Sequence, residues 1–243
     1  MLKVYKEENI LRASECDLNS QWKPSAILEN MQEMAGRHAE LLGVGRNALL
    51  DRGMVFVLTR VEVEMDRYPR HTQTVATETF PMPTRRWFFP RYFIFRDEAG
   101  NEIGRSGSLW VLLDINTRKM ARPDAIASLM PDNSDLLAPL GLPATVAEVS
   151  GALQTGHIRP AYTDLDMNGH VNNVKYMDWC CNALGIDAMR DKCLRRFDVN
   201  YDLEIRPGQE IRTELRTLGD AFSFCGFEGD QRHFDVGGML APR

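Results

Sequence analysis

The sequence predicts an α+β protein made of two successive copies of one unit, each a long helix wrapped by an antiparallel β-sheet. Three observations carry that expectation. Apolar residues pass from helical spacing to strict alternation in the same order twice along the chain. Both stretches hold a polar turn, a helix, a glycine stop and then strands. Between them lies a proline-rich stretch that sustains neither period. At 243 residues the chain is long enough to bury two domain-sized cores.

The first copy is assigned to residues 1–115. Residues 2–12 read as an opening strand and 14–20 as a polar turn. Pro24 suits the first turn of a helix, and Ile27, Leu28, Met31, Met34, Ala35, His38, Leu41 and Leu42 follow helical period up to Gly43. Residues 54–65 alternate, with Val55, Val57, Thr59, Val61, Val63 and Met65 on one face. Three more strands are predicted at 72–80, 86–96 and 102–113, the last two joined by the hairpin turn Ala99-Gly100-Asn101. Residues 116–150 are assigned to a linker crossing the surface, broken by Pro123, Pro131, Pro139 and Pro143, with a short helix near 124–129.

The second copy is assigned to residues 151–243. A strand at 153–159 leads into a turn and a helix carrying Val174, Met177, Cys181 and Leu184. Phe197, Val199, Tyr201 and Leu203 then alternate, and strands follow at 210–218, 222–227 and 233–240. The copies can be superposed by matching Asp17-Leu18-Asn19 to Asp164-Leu165-Asp166, and Val61, Val63, Met65 and Pro69 to Val199, Tyr201, Leu203 and Pro207. In that register Asn168 faces Gln21 and His170 faces Lys23, so only the second copy carries an imidazole. One half then does chemistry and the other shapes a substrate cavity, for which Met31, Met34, Leu41 and the strand from Val55 to Val61 are the candidate lining.

Candidate chemistry concentrates in the stretch from Thr163 to Trp179. Asp166, Asn168 and His170 alternate, so an extended loop would put a carboxylate, an amide and an imidazole on one side. Asn172 is a plausible helix N-cap, which would leave free backbone N–H groups just beyond His170 to stabilise an oxyanion. The same stretch reads equally as a polar loop capping an amphipathic helix.

Asp164-Leu165-Asp166-x-Asn168-x-His170-Val171-Asn172-Asn173-x-Lys175-Tyr176 resembles the motif of the acyl-acyl-carrier-protein thioesterases, the plant and bacterial enzymes that terminate fatty-acid synthesis. The order of elements is similar to their tandem hot-dog fold. The resemblance implies active-site roles for Asp166, Asn168 and His170. It adds Glu204, from the Tyr-x-x-Glu context Tyr201-Asp202-Leu203-Glu204. Plant members commonly carry a cysteine after that glutamate; here Ile205 stands there, so a cysteine nucleophile is not available at this position. Glu204 has a second reading, as a solvated acid paired with Arg206. The implied reaction is hydrolysis of fatty acyl-ACP thioesters to free fatty acid and holo-ACP. No cofactor or metal is called for, since the substrate brings its own phosphopantetheine arm. The implied partner, acyl carrier protein, is acidic; candidate contacts are Arg85, Arg86 and Arg91, or Arg190, Lys192, Arg195 and Arg196.

The alternatives are an acyl-CoA thioesterase, a non-catalytic acyl-binding hot-dog protein and, more distantly, a dehydratase. A net charge of −5 argues against a general nucleic-acid footprint. No apolar run reaches the ~20 residues of a membrane span. Five cysteines, odd in number and without Cys-x-x-Cys spacing, read as reduced thiols of a cytoplasmic protein. No phosphate-binding glycine motif or spaced His/Cys cluster is present. Two tandem copies make a pseudo-dimer, so the chain is expected to be a monomer or a homodimer.

Overall fold

A computed structural model describes residues 1–243. The chain divides into two compact units, Met1–Lys23 with Ile27–Pro143, and Pro24–Ala26 with Ala144–Arg243.

In the first unit, β1 (Tyr5–Ile10), β3 (Thr74–Pro81), β4 (Phe88–Arg96), β5 (Glu102–Asp114) and β2 (Met54–Met65) form an antiparallel sheet in that spatial order. Helix α1 (Pro24–Leu41) and a one-turn helix α2 (Arg46–Leu50) precede β2. The predicted helical spacing is obeyed by Ile27, Leu28, Met31, Met34, Ala35, His38 and Leu42, all buried. Leu41 is not part of that face; it is 64% exposed, so it leaves the proposed cavity lining. Gly43, at φ +75°, ends the helical run in the left-handed region that glycine tolerates.

Strand β2 departs from the predicted single face. Its register with β5 shifts between Leu58 and Arg60, and Thr59 instead donates its hydroxyl to the Leu109 carbonyl at 2.9 Å. Such a bulge inverts the alternation. Met54 and Leu58 are buried before it, and Val61, Val63 and Met65 after it.

Residues 116–143 pack as part of this unit. Two 3-10 turns, Pro123–Ala125 and Ala127–Leu129, replace the predicted short helix. They carry Ile126 into a core cluster with Leu42, Val44, Leu49, Met54, Phe89 and Leu112. Buried Asn133 donates its amide to the carbonyls of Lys3 and Pro81.

In the second unit the sheet order is β7 (Lys192–Tyr201), β10 (Gln231–Pro242), β9 (Ala221–Glu228), β8 (Ile211–Leu218) and β6 (Ala152–Ile158), again antiparallel. Its helix is shorter than α1: α3 (Lys175–Leu184) stops at Gly185, φ +92°, and α4 (Ile186–Asp191) follows. Tyr176 and Trp179 of α3 seat on Phe234 of β10, with ring centroids 4.7 and 6.2 Å apart, and Phe224 closes the cluster at 5.6 Å from Phe234.

Candidate active site

The stretch from Ala161 to Asn172 is a tight loop that its own main chain builds. A 3-10 turn, Tyr162–Asp164, leads in, closed by Asp164 accepting from the Ala161 N–H. The Asp166 N–H donates to the His170 carbonyl at 2.9 Å, and Gly169, at φ +81°, donates to the Asp166 carbonyl at 3.1 Å. The Asp166 carboxylate accepts from the Asn168 N–H at 2.8 Å and from its side-chain amide at 3.1 Å. The alternation at 166, 168 and 170 is thus realised in a closed turn rather than an extended segment.

The first unit builds the same loop, in a register two residues away from the one the sequence suggested. Asp17 N–H donates to the Gln21 carbonyl at 2.7 Å, Ser20 N–H to the Asp17 carbonyl at 3.0 Å, and Asp17 Oδ1 accepts from the Asn19 N–H at 2.8 Å. Asp166 therefore corresponds to Asp17, Asn168 to Asn19 and His170 to Gln21. Lys23 corresponds to Asn172, since each donates its N–H to the main-chain carbonyl of the acid two residues before the loop aspartate, Glu15 or Asp164. The strand register also moves by two residues, in the opposite direction. Asp202 and Leu203 donate to the His233 carbonyl as Asp66 and Arg67 donate to that of Ile103. Glu204 thus corresponds to Tyr68, and Ile205 to Pro69. The aspartate and asparagine occur in both units; the histidine and glutamate occur only in the second.

Those two side chains meet. His170 Nε2 lies 3.4 Å from Glu204 Oε2, and His170 Nδ1 lies 3.8 Å from Asp166 Oδ1. The imidazole stands between two carboxylates, at distances longer than tight hydrogen bonds. Glu204 is on the loop after β7, not within a strand. Its two readings coexist: Oε1 accepts from the Arg206 guanidinium, with Nε at 2.9 Å, while Oε2 faces His170.

The backbone N–H groups expected to be free beyond His170 are occupied. Val171 donates to the Ile205 carbonyl and Asn172 to the Asp164 carbonyl, each at 2.8 Å. Asn172 does serve the helix entry, its side-chain oxygen accepting from the Val174 N–H at 3.2 Å. The first of these bonds pins the loop to the segment carrying Glu204 and the second closes the loop on itself; α3 begins at Lys175.

Several residues that the sequence reading missed complete this frame. The buried Tyr176 hydroxyl oxygen accepts from the Ile205 N–H, which opposes but does not outweigh the upward push on its pKa from burial first and then from the nearby Asp166 and Glu204 carboxylates. Tyr201 donates its hydroxyl to the Asn173 carbonyl at 3.1 Å. Ile205 is fully buried, so the chain alternates inward at 205 and outward at 204 and 206. Tyr176 and Tyr201 were legible as the aromatic neighbours of the motif, but nothing local signalled their partners. Cys180 is buried, which raises its thiol pKa well above normal and keeps it from acting as a thiolate. No group of three or more His, Cys, Asp or Glu side chains is placed to hold a metal ion.

The basic candidates sort themselves. Arg91 is buried beneath α1, where its Nη1 meets His38 Nδ1 at 3.1 Å and donates to the Thr79 hydroxyl at 3.2 Å, so it is not a docking residue. Arg190 pairs with Asp187, Lys192 with Asp220 and Arg196 with Asp198. Arg85 and Arg86 are exposed on the β3–β4 turn, and Arg85 borders a hollow of about 260 Å³ with Met82, Pro83, Pro90, Tyr92, Ala138 and Leu142.

The acyl-ACP thioesterase N-terminal domain family matches residues 2–128, and the acyl-ACP thioesterase C-terminal domain family matches residues 149–229. The chain belongs to the acyl-ACP thioesterase family. Among curated relatives of this family member, the chloroplastic oleoyl-acyl carrier protein thioesterase of Coriandrum sativum is 27% identical over 82% of the chain and 59% of the relative. The chloroplastic palmitoyl-acyl carrier protein thioesterase of Arabidopsis thaliana is 26% identical over 83% of the chain and 52% of the relative. The chain thus spans little more than half the length of these relatives. Two solved structures share its fold. An acyl-ACP thioesterase from Bacteroides thetaiotaomicron has a TM-score of 0.88 at 23% identity, covering 98% of both chains. The 12:0-ACP thioesterase from Umbellularia californica has a TM-score of 0.84 at 23% identity, covering 99% of this chain and 98% of that one. The tandem hot-dog expectation holds.

Proposed function

We propose that this protein hydrolyses fatty acyl-ACP thioesters, releasing the free fatty acid and the carrier's thiol, with Asp166, Asn168, His170 and Glu204 as its catalytic residues. The observation that carries the reading is the imidazole of His170 between two carboxylates, in the one unit that has it. Family membership supports the substrate class.

Thioester hydrolysis needs a proton acceptor for water, a donor for the departing sulfur and polar groups for the developing oxyanion. In this scheme Glu204 Oε2, with Oε1 held by Arg206, takes a proton from the attacking water as the C–O bond forms. The proton passes through His170 to the sulfur as the C–S bond breaks, and the acid and thiol leave. Asp166 faces Nδ1 and favours the charged imidazolium during the transfer. Asn168 orients Asp166 and polarises the carbonyl. The side chains supply all of this, and the phosphopantetheine arm arrives with the substrate.

The N-terminal unit accommodates the acyl chain; the buried Met31 and Met34 of α1 support this, since methionine adapts to irregular apolar contents. Arg85 and Arg86 dock the acidic carrier, a choice supported by their exposure, whereas Arg190, Lys192 and Arg196 of the rival cluster are paired with carboxylates of their own unit. Five free thiols support a reducing compartment such as the cytoplasm, and no helix is long and apolar enough to cross a membrane.

The test is thiol release from C4 to C18 acyl-ACP beside the matched coenzyme A thioesters. Hydrolysis selective for the carrier-bound series is the expected result. Equal or better rates on coenzyme A esters would move the assignment to an acyl-CoA thioesterase, and no hydrolysis of either by folded protein would leave an acyl-binding protein.

A further inference from the structure

His233 stands at a β-bulge near the start of β10. Arg232 pairs with Phe227 and Phe234 with Gly226, which leaves His233 unpaired between them. Its main-chain carbonyl accepts the N–H groups of Asp202 at 2.9 Å and Leu203 at 3.0 Å, and so fixes the start of the Glu204 loop. The first unit has the same device. Ile103 lies in a bulge between the Phe95–Gly104 and Arg96–Glu102 pairs, and its carbonyl accepts from Asp66 at 2.8 Å and Arg67 at 3.1 Å. Because isoleucine suffices there, the main-chain role makes no demand for histidine.

The imidazole makes a contact of its own. His233 Nδ1 lies 3.2 Å from the carbonyl oxygen of Glu204. A carbonyl only accepts, so Nδ1 carries the proton. Nε2 is buried with no hydrogen-bond partner, 3.8 Å from Glu228 Oε2, on a side chain only 5% exposed. Leaving a buried polar atom unsatisfied costs stability, which an apolar residue would avoid. The second unit carries that cost at the one place where the ring can grip the peptide of Glu204.

We propose that His233 is a positioning residue for Glu204: its Nδ1–H holds the Glu204 carbonyl so that the carboxylate stays within reach of His170. The proposal rests on the reading of Glu204 as the partner of His170. With the grip released, the loop keeps its two main-chain anchors but the Glu204 peptide is free to rotate. A shift of about 1 Å at a catalytic group costs up to about 100-fold in rate.

The experiment compares His233→Leu with His233→Asn, whose side-chain N–H can take the place of the ring's Nδ1–H. In His233→Leu, kcat on acyl-ACP should fall about 10- to 100-fold with KM nearly unchanged. His233→Asn should recover most of it. In a Glu204→Gln background, His233→Leu should cost nothing further, because the two act as one unit. Equal losses in the leucine and asparagine variants, undiminished kcat in the leucine variant, or an undiminished additional loss in the Glu204→Gln background would each overturn the proposal. His170→Ala, measured alongside, separates the two levels: wild-type turnover in that variant would sink the site itself, whatever His233 does.

Discussion

Replacing His170 with glutamine should remove turnover and leave the fold intact. The perturbation is one the molecule already contains, because Gln21 occupies the corresponding place in the first unit with the same loop bonds around it. His170 is partly exposed, and its side-chain contacts are 3.4 Å to Glu204 and 3.8 Å to Asp166, so little packing is lost. The stability change should stay within about 0.5 kcal/mol, as for surface positions generally, or roughly 2 °C or less in Tm for a chain of this size. Losing a positioned acid–base group costs about 10²- to 10⁴-fold in kcat, the equivalent of about 3–5 kcal/mol of barrier. Thiol release gives the rate and thermal unfolding the stability. A kcat within a few-fold of wild type would refute the proton-transfer role. A large drop in Tm would refute the inference from the two loops.

Three further outcomes follow from the same geometry. Asp166→Asn keeps an oxygen to accept the Asn168 N–H and should melt close to wild type while losing activity; Asp166→Ala should lose about 1–2 kcal/mol as well, read from urea midpoints. Phe234→Ala removes the ring on which Tyr176 and Trp179 rest and should cost about 3–5 kcal/mol, and a loss below about 1 kcal/mol would mean the cluster is not the seat of α3. Burial, and then the charge of Arg91, lower the His38 pKa from 6.5 to about 4, against a smaller opposing pull from the Leu2 carbonyl. Between those values the unfolded chain takes up a proton that the folded chain refuses, so stability falls as pH drops from 6.5 to 4, by roughly 3 kcal/mol. His38→Gln should lack that component, and parallel urea-midpoint curves for the two proteins over this range would contradict it.

The strands and the long helix were legible because each follows a clean period: the predicted 54–65 and the observed Met54–Met65 coincide. What alternation alone does not reveal is a bulge. The shift at Thr59 moves Met54 and Leu58 to the core side, and the bulges at Ile103 and His233 shape the ends of their strands without any local mark in the sequence. The two copies were recognisable, but their register was not. Asp164-Leu165-Asp166 offered a decoy match to Asp17-Leu18-Asn19 two residues early, whereas Asp166-x-Asn168 shares both residue types and is the pair the hydrogen bonds select. The motif named Asp166, Asn168, His170 and Glu204. It did not reveal that the aspartate and asparagine build the loop in both units, while His170 and Glu204 distinguish the second. Arg91 illustrates the opposite limit, since a cation in sequence carries no sign of the burial that pairs it with His38.

The central claim is that His170 and Glu204 work as one acid–base unit on a carrier-bound thioester. The most direct measurement is kcat for acyl-ACP hydrolysis by His170→Gln, Glu204→Gln and the double variant. The account predicts that the double variant is little slower than the slower single one, since groups acting as a unit are not additive. Losses that multiply in the double variant, or a Glu204→Gln protein as fast as wild type, would contradict it.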